Sequence, residues 1–123
     1  MGKGIITGVG GIFVRSKDPK ALAAWYRDTL GFPLEAWGGA MLASDPAARP
    51  PHTVWAAFKT DTDYMQPSPR EFMLNLAVDD LDAVIARLGE KNVHILARSD
   101  DANGKFAWIM DPDGTKIELW QPI

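Results

Sequence analysis

Three polar side chains interrupt apolar runs and are the first candidates for chemistry. Glu118 stands between Ile117 and Leu119, with Trp120 close by. Such surroundings disfavour the ionised form of a carboxyl, which suits a general acid or base. Asn75 lies inside the run Phe72 to Val78. A buried amide needs hydrogen-bond partners, and a bond to a neighbouring strand accounts for it as well as a ligand does. Arg15 closes the apolar segment that begins at Gly11. It suits a rim or surface position better than an anion clamp, because arginine is rarely buried unpaired. The two histidines, His52 beside Pro50 and Pro51, and His94 further on, read as solvated or rim residues rather than ligands.

Other chemistries fail on spacing or composition. Gly8-Val9-Gly10-Gly11 lacks the third glycine of a dinucleotide fingerprint and precedes a strand. Asp111-Pro112-Asp113-Gly114 is too short for a calcium loop and reads as a turn. No serine sits in a nucleophile elbow. The 123 residues contain no cysteine, which excludes a disulfide scaffold, a zinc ribbon, an iron–sulfur site and a thiol nucleophile. Thirteen Lys and Arg against sixteen Asp and Glu leave a net charge of −3, so the basic footprint of a nucleic-acid binder is missing. No run approaches the roughly 20 apolar residues of a membrane span, and the glycine-rich start is a poor export signal. A cytoplasmic protein with neither nucleic-acid nor membrane partners is expected.

The elements that must position these side chains repeat. Asp18 caps a helix with Pro19 in its first turn, and Gly31 stops it. Asp80 caps a second helix with the apolar stripe Leu81, Val84, Ile85 and Leu88. Strands are expected over Gly11–Arg15, Leu34–Trp37, Ala40–Ala43 and Thr53–Lys59, and again over Phe72–Val78, Val93–Arg98, Lys105–Met110 and Thr115–Gln121. Gly38-Gly39, Asn103-Gly104 and Asp113-Gly114 mark hairpins. The two caps lie 62 residues apart, and the same shift lays Leu22, Ala24 and Tyr26 on Val84, Ala86 and Leu88. One α+β domain over 1–123 is therefore read as two tandem βαβββ modules, 5–65 and 70–123, joined by the polar linker Thr60 to Arg70.

This pattern resembles the vicinal oxygen chelate superfamily of glyoxalase I, bleomycin-resistance proteins and extradiol dioxygenases. The carrying residues are Val14-Arg15-Ser16-Lys17-Asp18-Pro19, Trp25-Tyr26-Arg27-Asp28-Thr29-Leu30-Gly31-Phe32, Leu76-Ala77-Val78-Asp79-Asp80-Leu81-Asp82-Ala83 and Asp111-Pro112-Asp113-Gly114-Thr115-Lys116-Ile117-Glu118-Leu119-Trp120. The resemblance implies curled mixed sheets that form a cup, and a homodimer. Carried onto this chain, the family's metal-holding positions are Gly11, Trp55, Met73 and Glu118. Only Glu118 can ligate a hard divalent ion, so neither a catalytic metal nor another cofactor is expected.

Strand alternation from those positions fills the cup. Phe13, Trp55, Met73 and Trp108 become its walls, joined by Trp120, with Arg15, Asn75 and Glu118 as polar groups. A few polar groups among aromatics is the make-up of a small-molecule pocket. Two functions follow: a binding protein for a planar or amphipathic molecule, or a metal-independent enzyme in which Glu118 moves a proton on a small carbonyl or carboxylate substrate. A metal-dependent lyase or dioxygenase with His52 recruited across a dimer is the third.

Overall fold

The computed structural model describes residues 2–123 apart from 44, 46 and 51. The chain runs β1 (Ile6–Ser16), α1 (Pro19–Leu30), β2 (Ala40–Ala43), β3 (His52–Lys59), β4 (Phe72–Val78), α2 (Leu81–Glu90), β5 (Ala97–Asp101), β6 (Gly104–Met110) and β7 (Lys116–Pro122). Both helix starts form as their capping residues dictate. The Asp18 and Asp80 side chains accept from Ala21 N and Ala83 N at 3.1 and 3.2 Å, satisfying amides that have no partner within the helix. Gly31, in the left-handed region at φ 72°, ends α1.

The seven strands form one sheet in the order β2-β3-β1-β4-β7-β6-β5. β1 and β4 meet antiparallel at its centre, Phe13 opposite Met73, so the two halves join within one chain. Each central strand carries a parallel neighbour. Ile12 pairs with Trp55 in the first half and Leu74 with Ile117 in the second, so both partners obey the same shift of 62 residues. The duplication seen in the helix caps extends to strand register.

Three expected strands change, the first by starting at Ile6 instead of Gly11, so that the run Gly8 to Gly11 lies within β1 rather than before it. Leu34 to Trp37 contributes only a single bridge, Leu34 to Ala40, because Gly38-Gly39 turns the chain back at once and leaves no length for a ladder. Val93 to Arg98 pairs only from Ala97 and runs on to Asp101. The Asn103-Gly104 turn sets that register, placing Asp101 opposite Gly104 and Ala97 opposite Trp108.

Apolar side chains divide by face. On one face, Ala23 of α1 packs with Ala40 and Trp55, and Leu81 and Val84 of α2 pack with Val78, Ala107 and Leu119. On the other face, Phe13, Ala56, Met65 and Met73 form a separate cluster. Met65 comes from the stretch read as a polar linker, and it is fully buried. Ser68 Oγ ties the same stretch to the β6–β7 turn by donating to Gly114 O at 2.6 Å. The linker is thus part of the core, because it closes the side of the sheet that bears no helix. Among the described residues no helix is long and apolar enough to cross a membrane.

Candidate functional site

Glu118 points from β7 into the helix-free face and is 3% exposed. Three donors meet it. Asn75 Nδ2 on β4 donates to Oε1 at 2.5 Å. Trp108 Nε1 on β6 donates to Oε2 at 2.9 Å, and the Tyr64 hydroxyl donates to the same oxygen. Register brings the first two there. Asn75 and Trp108 are the residues directly opposite Glu118 on its two neighbouring strands. A buried carboxylate needs such partners to offset its lost hydration.

The surroundings act on the neighbours as well. Burial first, and then the Glu118 charge and hydrogen bond, push the Tyr64 phenol well above its ordinary 10.0. Lys116, two residues from Glu118 on the same strand face, turns its Nζ to Tyr64 O at 2.5 Å and lies over the Tyr64 ring. Burial holds its ammonium below the usual 10.5, with Glu118 pulling the other way.

Beside Glu118 opens a cavity of about 480 Å³. Phe13, Phe106, Trp120 and Val54 wall it, with Met41 and Trp37 to one side. Asn75, Glu118, His52 and Asn103 supply its polar groups. Phe106 lies stacked on both Trp108 and Trp120, at 6.1 and 6.3 Å between ring centres, since alternate residues of β6 and β7 share this face. Gly10 shapes the base. A Cβ there would stand 2.3 Å from Asn75 Oδ1 and 2.8 Å from the Trp120 ring.

Of the side chains expected at the cup, Glu118, Asn75, Phe13 and Trp120 line this cavity, and Trp108 reaches it through Glu118. Met73 lies beneath Phe13, fully buried. Arg15 sits off the cavity, half-buried, its Nη1 3.5 Å from Thr60 O. Trp55 needs correction. At 5% exposure it packs against Ala23 of α1, with ring contacts to Tyr26 and Phe32. The reason is a one-residue slip, which moves a strand residue to the opposite face. Glu118 lies 63 residues beyond Trp55, whereas the strand register repeats at 62, so its counterpart is Ala56, which does face the cup.

Tyr64 and Phe106 are the important residues that pattern reading passed over. Tyr64 is one of only two tyrosines in the chain and adjoins Met65 in an otherwise polar stretch, a signal available beforehand. His52 is half-buried on the cavity wall, 6.4 Å from the Trp120 ring centre, while His94 is exposed outside the strands.

These residues do not fit a divalent metal. Gly11, Ala56 and Met73 offer no hard donor, and Glu118 already accepts from three protein groups. Among the described residues no three His, Cys, Asp or Glu side chains gather into a ligand set.

A curled mixed sheet with two helices on one face and a cup on the other defines the glyoxalase/bleomycin-resistance class of α+β fold. The chain belongs to the glyoxalase-like domain family, whose pattern matches residues 11–120. Methylmalonyl-CoA epimerase from Mycobacterium tuberculosis is similar, with 21% identity and a TM-score of 0.68 over 100% of this chain and 93% of that one. A variant of the Streptomyces coelicolor methylmalonyl-CoA epimerase in complex with 2-nitronate-propionyl-CoA gives 16% identity and 0.69 over 96% and 99%. A glyoxalase/bleomycin resistance protein/dioxygenase superfamily member from Vibrio splendidus 12B01 gives 16% and 0.60 over 89% and 95%. At these identities the likeness establishes the fold. No curated protein matches the chain.

Proposed function

We propose that this protein binds a small, flat molecule in the aromatic cup beside Glu118. The observation that carries the reading is the junction of an aromatic-walled cavity with a buried, fully oriented polar cluster at its base. Aromatic faces supply contact area, and a few fixed polar groups supply orientation. The same geometry disfavours Glu118 as a free general base. Three protein donors already engage it, Oε2 accepting twice and Oε1 once, which leaves a single lone pair on Oε1. In this chain the carboxylate anchors three strand and linker side chains.

The test is a ligand screen by thermal unfolding, with divalent ions as separate additions. A molecule bound by the native state alone raises the midpoint in proportion to the logarithm of its concentration. Flat aromatic compounds are expected to do so, with Trp120→Ala reducing the rise at a given concentration. A large saturable rise with manganese, nickel, zinc or iron alone would replace this reading with a metal-dependent one.

The chain is also proposed to pair with a second copy. Along β1, Ile6, Val9 and Ile12 lie opposite Val78, Leu76 and Leu74, so they share the helix-bearing face. They are 46%, 45% and 41% exposed, in the gap that neither helix covers. A row of exposed apolar side chains of this kind supports an interface.

A further inference from the structure

The hydrogen bonds at the base of the cup say what chemistry an occupant brings, given the reading that the cup binds a ligand. A carboxylate only accepts, so the Asn75 atom facing Glu118 Oε1 is the amide nitrogen. The carbonyl Oδ1 therefore turns the other way. There it is buried, has no partner among the described residues, and lies against Gly10 on the cavity wall. Asn75 is 3% exposed, and an unpaired buried acceptor is costly.

Among the described residues, the buried and half-buried side-chain donors of Trp108, Tyr64, Trp120 and Lys116 are committed. Trp108 Nε1 and the Tyr64 hydroxyl are taken by Glu118, and Trp120 Nε1 donates to Asn103 O at 3.0 Å. Lys116 Nζ is turned to Tyr64 O. What remains at the base is acceptor capacity, on Asn75 Oδ1 and on Glu118 Oε1. The remaining lining donors, on half-buried His52 and exposed Asn103, lie towards solvent. We propose that the occupant is a flat ring carrying N–H donors, on an amide, amine or amidine nitrogen. Its N–H edge meets Asn75 Oδ1, and its face lies against Phe106 and Trp120. A planar carboxylate is rejected, because it brings a second negative charge to Glu118 and no donor to Asn75.

Four probes of nearly one shape test this on the full chain: toluene, benzamide, benzamidine and benzoate. Binding is followed by backbone amide NMR shifts, which read weak affinities and localise them to Gly10, Phe106 and Trp120. Benzamide and benzamidine are expected to bind about tenfold tighter than toluene, the worth of one satisfied hydrogen bond, and benzoate to leave the spectrum unchanged. Asn75→Ser is expected to shrink the advantage of benzamide over toluene to about twofold. Should that variant not fold, the probe series on the unaltered chain still decides. Equal affinity for all four, or benzoate binding tightest, overturns the donor inference and leaves the cup intact. Absence of shifts with every probe, toluene included, overturns the cup reading itself.

Discussion

Tyr64 and Glu118 stand 54 residues apart in the chain, yet the phenol of one donates to the buried carboxylate of the other. The bond joins the segment between the two halves to the last strand, across a sheet whose strands reach Glu118 from both sides. Tyr64 is held on its other face by Phe58, stacked at 5.5 Å and 11°. Tyr64→Phe keeps that stack and removes only the donor. Its expected cost is about 1.5–3 kcal/mol of stability, the range for hydrogen bonds to charged groups, read from urea denaturation. A cost near zero would mean that Trp108 and Asn75 suffice to hold the carboxylate.

The same pair predicts an alkaline signature. The Tyr64 phenol is raised above 10.0 in the folded chain, so its neutral form is the one folding favours. Its contribution is complete below 10.0 and is lost as pH climbs through the raised folded value. Lys116 runs the other way: its lowered folded value means that a penalty present at neutral pH fades towards 10.5. Lys116 is common to wild type and Tyr64→Phe and largely cancels between them. The stability gap between the two proteins is therefore expected to be constant up to about pH 10 and to narrow above it. A gap that widens in alkali would contradict the assignment.

Glu118→Gln tests how the carboxylate anchors its neighbours and orients Asn75. The glutamine oxygen can take the place of Oε2 for Tyr64 and Trp108, and Asn75 can turn its amide so that Oδ1 accepts from the new Nε2. The variant is expected to fold with a loss of about 1 kcal/mol and to retain toluene binding. Because Asn75 then presents its nitrogen to the cavity wall, the preference for benzamidine over benzoate should diminish. Intact toluene binding with an unchanged benzamidine preference would show that neither Glu118 nor the Asn75 orientation governs selection.

Trp55 and Trp120 should behave oppositely. Trp55→Ala empties a site under α1 and is expected to cost about 3–5 kcal/mol, while the protein that remains folded binds cup ligands as wild type does. Trp120→Ala removes half-buried cavity wall and should weaken an aromatic probe by about tenfold or more at smaller cost in stability. Binding by NMR, normalised to the folded fraction, checks both. Loss of affinity in folded Trp55→Ala would return that residue to the cup.

Self-association has its own test. Ile12→Glu places a charge in the middle of the exposed row on β1, away from the cup, where Phe13 points. Sedimentation equilibrium is expected to show a dimer for the unaltered chain and a monomer for the variant. A monomeric unaltered chain ends the proposal.

Local chemistry carried the elements and their repetition. Asp18, Asp80 and Gly31 set helix ends by satisfying nearby backbone groups, and Asn103-Gly104 and Asp113-Gly114 set hairpins within a few residues of themselves. Alternation along β4 and β7 then put Asn75 and Glu118 on one face, since a strand repeats every two residues. Face assignment between strands is different. It depends on register across residues distant in sequence, and a slip of one sends a side chain to the opposite side. That is why Trp55 belongs with α1, and Ala56 with the cup. Tyr64 was hidden for a related reason: nothing in the polarity of Thr60 to Arg70 says where that segment lies, and only closure of the sheet brings it over Glu118. The amino-acid sequence determined the duplicated α+β framework and the presence of a lone carboxylate in an apolar strand. The tertiary structure decided which donors surround that carboxylate, which lone pairs are left for a ligand, and which aromatic rings make the wall, because each of these is a contact between segments that no local preference specifies.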